Sequence, residues 1–408
     1  MNKKLDKTLN LFWIGFTIYT LGFTISITTD FNFKVCQSLQ LFGIVLFVTT
    51  AIMIIHFKFE NNNLKIIYIL YCGWLFITII RGFRFDYESI KLMLFDAWLG
   101  IFPYFAPLIL LFPKNISYLK KVINVIIIFA IFYFILDLFY LKDLLSRSSG
   151  YGKSTIIIEF FSRNLSIPCG FILFTFLYHS KKIKIIALLA IILTFLLATI
   201  RARRGTMFLT LNILICYYFI YYHVSRGKVI VIIFSSILIP FIYFFGAKLY
   251  EQRKTDLFSL ITHRLEEDTR SGVTKSFYQD MDTKDWILGR GINGQYYCPV
   301  IRVAGHAPHR SVVETGFLQI ILKGGLISLV LLLIITIPAL YKGLFHSKNI
   351  LSKAAGIWIL LWLINLYPAV GNTFTLQYLL VWISIGICYD PSISMKTDEE
   401  IKNIFKKN

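Results

Sequence analysis

The chain has 408 residues, of which 57% are hydrophobic, 17% aromatic and 16% charged, with a mean hydropathy of +0.68 and a formal net charge of +20. A soluble domain carries roughly 25% charged and roughly 45–50% apolar residues, so these proportions exclude a water-soluble globule, a disordered chain, collagen and a small disulfide scaffold. They fit an all-α polytopic membrane protein, because a helix that crosses the hydrocarbon core needs about 20 mostly apolar residues, and runs such as 122–141 lack the alternation of a β-barrel.

Twelve spans are expected, over 10–28, 38–57, 64–80, 92–112, 122–141, 156–178, 183–200, 206–223, 229–246, 312–341, 354–371 and 374–390. This divides the chain into helices 1–9 (1–246), one long loop (247–311), helices 10–12 (312–390) and a tail (391–408). The first span follows Lys3, Lys4 and Lys7 without a small-residue cleavage site, and it reads as an anchor. An even number of spans puts both termini in the cytoplasm, and the basic residues then follow the positive-inside rule. Six cysteines show no metal-ligand spacing, and Cys36 and Cys298, expected on the outer face, are two isolated thiols and not a disulfide framework.

In that topology the inner segments carry nineteen lysines and one arginine, Arg226, while thirteen of the fourteen arginines lie on the outer side. Topology needs only positive charge inside, so the sorting asks for a chemical cause. A guanidinium is a rigid fork that grips phosphate or carboxylate through two hydrogen bonds, where an ammonium is a point charge. The outer face is therefore expected to hold an anion. The plain alternative is a coding bias, with the loop arginines paired to Asp280, Asp282, Asp285 and the other acids of the same loop.

Several constellations follow in chain order. Glu159 and Arg163 share one helical face at i, i+4, within the outer leaflet, where they serve either as a folding pair or as substrate contacts. Thr199-Ile-Arg-Ala-Arg-Arg-Gly205 sets Arg201, Arg203 and Arg204 at a tight outer turn with no acid nearby in sequence. These side chains either reach up to lipid phosphates or clamp a lipid-borne phosphate. Gly289-Arg-Gly-Ile-Asn-Gly294 matches a dinucleotide pattern by letters, but no βαβ unit surrounds it. Its glycines read as turns that admit a ligand or another chain segment. His306 and His309 lack the further ligands of a metal site. If 312 onward is helical, Arg310 sits at its start and Glu314 one turn in, either as a partner of the helix dipole or as a partly desolvated general base. Lys323-Gly-Gly-Leu326 permits a kink, with Lys323 reaching outward or lining a cavity.

Taken in this order and topology, the motifs resemble the O-antigen polymerase and O-antigen ligase superfamily of bacterial membrane glycosyltransferases. Arg203-Arg204-Gly205 is similar to the family's Ser/Thr-Arg-Gly turn, Arg270 or Arg264 to an arginine early in the long loop, and Trp286-Ile-Leu-Gly-Arg-Gly291 to its Gly-x-Gly turn. Phe317-Leu318-Gln319 and Gly324-Gly325-Leu326 are similar to its aromatic-Leu and Gly-x-x-Gly segments, with Glu314 where ligases carry a histidine.

The resemblance implies polymerisation of oligosaccharide repeat units carried on polyprenyl pyrophosphate, at the outer face of the bacterial cytoplasmic membrane. Arg204 and Arg270 would stabilise the pyrophosphate, helped by Arg163, Arg201, Arg203, Arg264, Arg290 or Arg310, and Glu314 or His309 would take the acceptor proton. No metal, cofactor or nucleic acid is implied. Partners would be the lipid-linked oligosaccharide, membrane lipid and other polysaccharide-assembly proteins. A ligase transferring glycan to lipid A core and a flippase for lipid-linked sugars are the competing readings.

Overall fold

A computed structural model describes residues 3–59, 61–113, 115–145, 153–201, 203–224, 269–300 and 308–407. The ninth expected span, most of the long loop's first part, Arg264 and His306 lie outside the described residues. Within them the protein is an all-α membrane protein, with seven helices long and apolar enough to cross a bilayer.

The first three are α1 (Lys3–Thr28), α2 (Phe33–Ile54) and α3 (Asn62–Gly82). Asn32 and Asn61 accept hydrogen bonds from Lys34 N–H and Leu64 N–H, capping the starts of α2 and α3. These caps satisfy amides that no turn of the helix can reach.

The expected span 92–112 is not one helix. A short α4 (Tyr87–Phe95) stops where the Asp96 carboxylate accepts from Trp98 N–H at 2.7 Å and Leu99 N–H at 2.9 Å. A one-turn α5 (Phe102–Phe105) and a 3-10 turn (Ala106–Leu111) follow. Pro103 and Pro107 stand at the starts of these two pieces, where their missing N–H groups cost nothing.

Next come α6 (Ile116–Phe139), a single-turn α7 (Leu141–Leu145) and α8 (Lys153–Phe161). The expected span 156–178 is likewise broken. From α8 the chain enters a π turn (Ser162–Ser166), passes Pro168 and continues as α9 (Cys169–Phe174) and a 3-10 turn (Phe176–Tyr178). Buried polar groups hold the break. Asn164 Nδ2 donates to Thr24 Oγ1 at 2.8 Å, Asn164 Oδ1 accepts from Trp98 Nε1 at 3.2 Å, and the Ser166 and Thr194 hydroxyls meet at 2.6 Å. A widened turn of this kind often marks a functional position.

Two spanning helices follow, α10 (Lys181–Ile200) and α11 (Arg204–Val224). Further along the chain come α12 (Thr269–Asp280), α13 (Thr283–Leu288) and a hairpin of β1 (Tyr296–Tyr297) and β2 (His309–Arg310), with Tyr296 opposite Arg310 and Tyr297 opposite His309. Val273, Phe277, Tyr296 and Cys298 bury themselves against Leu318, Ile321 and Leu322. These last three belong to α14 (Gly316–Phe345), so the lobe of α12, α13 and the hairpin shares a core with a long apolar helix. The bundle ends with α15 (Ile350–Asn365), α16 (Leu376–Tyr389), a turn α17 (Pro391–Ser394) and α18 (Asp398–Lys407). The tail is docked on the bundle: Asp398 accepts from Ile350 N–H at 2.8 Å and from the Tyr178 hydroxyl, and Phe405 stacks on Tyr178. All six cysteines are free thiols.

The sharpest feature is a kink in α14 at Gly325, whose φ is +69°. The break leaves carbonyls without their helical donors, which is expensive wherever water is scarce. The loop 289–294 supplies the donors. Arg290 N–H donates to Leu322 O at 2.7 Å and Gly291 N–H to Lys323 O at 2.9 Å, while Trp74 Nε1 donates to Gly324 O at 2.7 Å. In return Lys323 Nζ donates to Gly294 O at 2.8 Å. Gly289, with φ +72°, meets Gly325 so closely that a Cβ on Gly325 would sit 2.1 Å from Ile287 O. Gly325→Ala combines that clash with a left-handed backbone costing about 1–2 kcal/mol by itself. Its melting temperature in detergent should fall by several degrees relative to Leu326→Ala, which trims a side chain 40% exposed. Equal melting of the two variants would contradict the lock.

Candidate functional site

A cavity of about 460 Å³ opens where five separate stretches of chain converge. The α8 and π-turn stretch contributes Glu159, Phe160 and Arg163; the start of α11 contributes Arg203, Arg204 and Gly205. The third stretch enters α14 with Arg310, Val312 and Glu314. The fourth joins α15 to α16 through Pro368, Ala369, Val370 and Thr373, and Asp96 and Trp98 close one wall. Six of the expected site residues and pair members, Glu159, Arg163, Arg203, Arg204, Arg310 and Glu314, thus share one space although they are spread over 156 positions.

Their charges are arranged unequally. Arg163 Nη1 lies 3.8 Å from Glu159 Oε1, as the i, i+4 spacing anticipates, and 3.5 Å from Val370 O. Its guanidinium also sits over the Trp98 ring at 5.0 Å, and Trp98 stacks on Phe160 with centroids 4.1 Å apart. Arg203 forms an ion pair with Glu159, so the turn that has no acid nearby in sequence finds one on another helix. Arg204, the first residue of α11, is exposed to the cavity. Arg310 is half-buried, and its Nη1 has no hydrogen-bond partner among the described residues. A buried guanidinium nitrogen without an acceptor is costly, and the residue that carries it lines the cavity.

The entry to α14 differs from the expected helix start. The helix begins at Gly316, and Arg310 and Glu314 precede it on β2 and an extended segment. Gly316 N–H donates to Leu366 O at 2.6 Å, which draws this entry against the end of α15. Gln319 fixes the extended segment from below: its Oε1 accepts from Val313 N–H at 2.7 Å and its Nε2 donates to Ser311 O at 3.2 Å. Gln319 therefore positions Arg310 and Glu314. The extended entry gives it that role, since by letter it is one more residue in an apolar run.

Other expected residues go elsewhere. Arg201 is buried and donates from Nε and Nη2 to Leu144 O, at 3.1 and 3.0 Å, and from Nη2 to Asp143 O at 3.1 Å. It caps the carbonyl end of α7 and lies outside the cavity. Arg290 is held in the lobe by Asp285 and Asp280 and donates to Gln295 O at 2.7 Å. Burial lowers the proton affinity of Arg290, but the two carboxylates outweigh it and hold its pKa above the ordinary value. Burial likewise raises Asp280, but hydrogen bonds from Arg290 and Tyr297 N–H outweigh it and leave that carboxyl below its usual range. His309 is exposed and lines a second cavity on the other side of β2. Arg270 starts α12, but the placement of its side chain lies outside the described residues.

No protein-family model, curated protein or solved structure matches this chain. Among the described residues, no group of three His, Cys, Asp or Glu side chains could hold a metal ion. Beneath the main cavity a smaller chamber of about 50 Å³ shares Trp98, Leu99 and Val370 with it and is walled in part by Lys323. Lys323 thus turns inward and does not reach out to lipid.

Two outcomes are expected. Arg203→Ala and Glu159→Gln should be non-additive in a double-mutant cycle read by thermal melting, with a coupling of roughly 0.5–3 kcal/mol; strict additivity would remove the pair from the account. Asp280 stabilises the lobe above its ordinary pKa of about 3.9, and that contribution disappears as pH falls through the lowered value in the folded state. Hydrogen exchange at Tyr297 N–H, which donates to Asp280 Oδ2 at 3.1 Å, should therefore accelerate between about pH 4 and pH 2 beyond the intrinsic pH trend. In Asp280→Asn it should already be fast at pH 6.

Proposed function

We propose that the chain is a membrane glycosyltransferase that lengthens lipid-linked oligosaccharide repeat units of a bacterial surface polysaccharide. In this reading it crosses the cytoplasmic membrane twelve times, both termini lie inside, and the arginine-lined cavity faces outward. The carrying observation is the convergence of Arg163, Arg203, Arg204 and Arg310 with Glu314 in one cavity. The sorting of arginine from lysine along the chain supports the same reading.

The donor is a saccharide joined through its anomeric carbon to polyprenyl pyrophosphate. As that carbon–oxygen bond breaks, negative charge grows on the departing pyrophosphate, and Arg204 and Arg310 stand where fixed donors would stabilise it. Arg163 and Arg203, already paired with Glu159, shape the wall behind them. An acceptor hydroxyl forms the new bond to the anomeric carbon and gives its proton to Glu314. The products are a lengthened glycan on its own lipid and free polyprenyl pyrophosphate. Glu314 lines this cavity and His309 does not. This favours polymerisation over ligation, since a histidine at the position of Glu314 goes with the ligases in the resemblance.

Purified protein in liposomes with lipid-linked repeat units should make longer products without nucleotide or ion gradient. Arg204→Lys should lose nearly as much rate as Arg204→Ala, on the order of 100- to 1,000-fold, because the fork and not the charge is what disappears. Full activity in the lysine variant would count against the clamp, and no elongation by the unaltered protein would end the reading.

A further inference from the structure

The cavity on the far side of the hairpin has a chemistry of its own. It holds about 630 Å³, within the roughly 300–1,000 Å³ of small-molecule sites. Consecutive strand residues point to opposite faces, and here His309 lines this cavity while Arg310 lines the arginine-rich one. One strand therefore divides the two.

Much of the hydrogen-bonding capacity of this second cavity is committed internally. Arg290 is paired with Asp280 and Asp285. Arg81 donates to Leu288 O at 2.9 Å and to Gly289 O. Asn293 Nδ2 donates to Gly82 O at 2.9 Å. What these side chains offer a visitor is a set of planar polar groups locked in place by their partners, beside the aromatic face of Phe83. Exposed Arg84, Gln295 and His309 complete the rim. Fixed planar donors and acceptors beside an aromatic face suit vicinal hydroxyl groups, which pair with them two at a time.

We propose that this cavity is a saccharide-binding site, separate from the anion cavity, that holds the glycan against the hairpin. It deepens the glycosyl-transfer reading, on which its biological sense rests, by assigning the sugar and the pyrophosphate to opposite faces of β2. Arg84, Gln295 and His309 contact the sugar, and the hairpin is the partition around which the glycan reaches the reacting centre.

The test reads binding without transfer. The probe is the lipid-free, phosphate-free oligosaccharide released by mild acid from the source cell's own surface polysaccharide, followed by saturation-transfer NMR on the full chain in detergent. The unaltered protein should bind it. Arg84→Ala, Gln295→Ala and His309→Ala, all at exposed positions, should each weaken binding severalfold, and the triple variant at least tenfold, with unchanged melting temperature. Arg204→Ala should bind it as before, and inorganic pyrophosphate should not displace it. Absence of binding to the unaltered protein, binding lost in Arg204→Ala, or displacement by pyrophosphate would each overturn the proposal. Retained binding with no elongation in the liposome assay would instead sink the transfer reading and leave the saccharide site standing.

Discussion

Backbone carbonyls inside a membrane must find donors, and that constraint organises this protein around the kink in α14. Interrupting a helix at Gly325 exposes Leu322, Lys323 and Gly324 carbonyls. They are answered by amides of the 289–294 loop and by the Trp74 indole. The loop is thereby tied to the bundle at a fixed height, and everything built on it inherits that placement. The hairpin follows the loop, and β2 leads through Arg310 and Glu314 into the first turn of α14. A helix break, which alone would be a weakness, becomes the joint that locates the cavity.

The arginines of this chain show how one residue type can serve several ends. Arg201 gives up its guanidinium to Leu144 and Asp143 carbonyls, and Arg290 gives up its own to two aspartates. Arg163 and Arg203 share Glu159. Arg204 and Arg310 face the open volume, Arg310 with a nitrogen that lacks an acceptor among the described residues. Charge alone would not separate these roles. The partner within reach of each fork does.

Much of this arrangement is legible in the amino-acid sequence. The apolar runs identify all seven long helices among the described residues, and the i, i+4 spacing of Glu159 and Arg163 anticipates their ion pair. The glycines of 289–294 and 323–325 announce a close approach, although not that they approach one another. The runs 92–112 and 156–178 read as continuous spans because hydropathy does not register what breaks a helix inside it. Asp96 with two prolines does so in the first, and Asn164 with a π turn and Pro168 in the second. The pairing of Arg203 with Glu159 is out of reach of spacing rules because it joins residues 44 positions apart on different helices. Gln319 escapes for a similar reason, since its meaning depends on an extended segment that the spacing reads as helix.

The meeting of Gly289 with Gly325 bears on how such a chain can change over time. A side chain at either position collides with the backbone of the other segment, so neither can drift while its counterpart stays put. Two stretches more than thirty residues apart are thus bound to a common history. In a set of diverged descendants their substitutions should arrive together, as an insertion that lengthens the loop matched by a shift in where the helix bends.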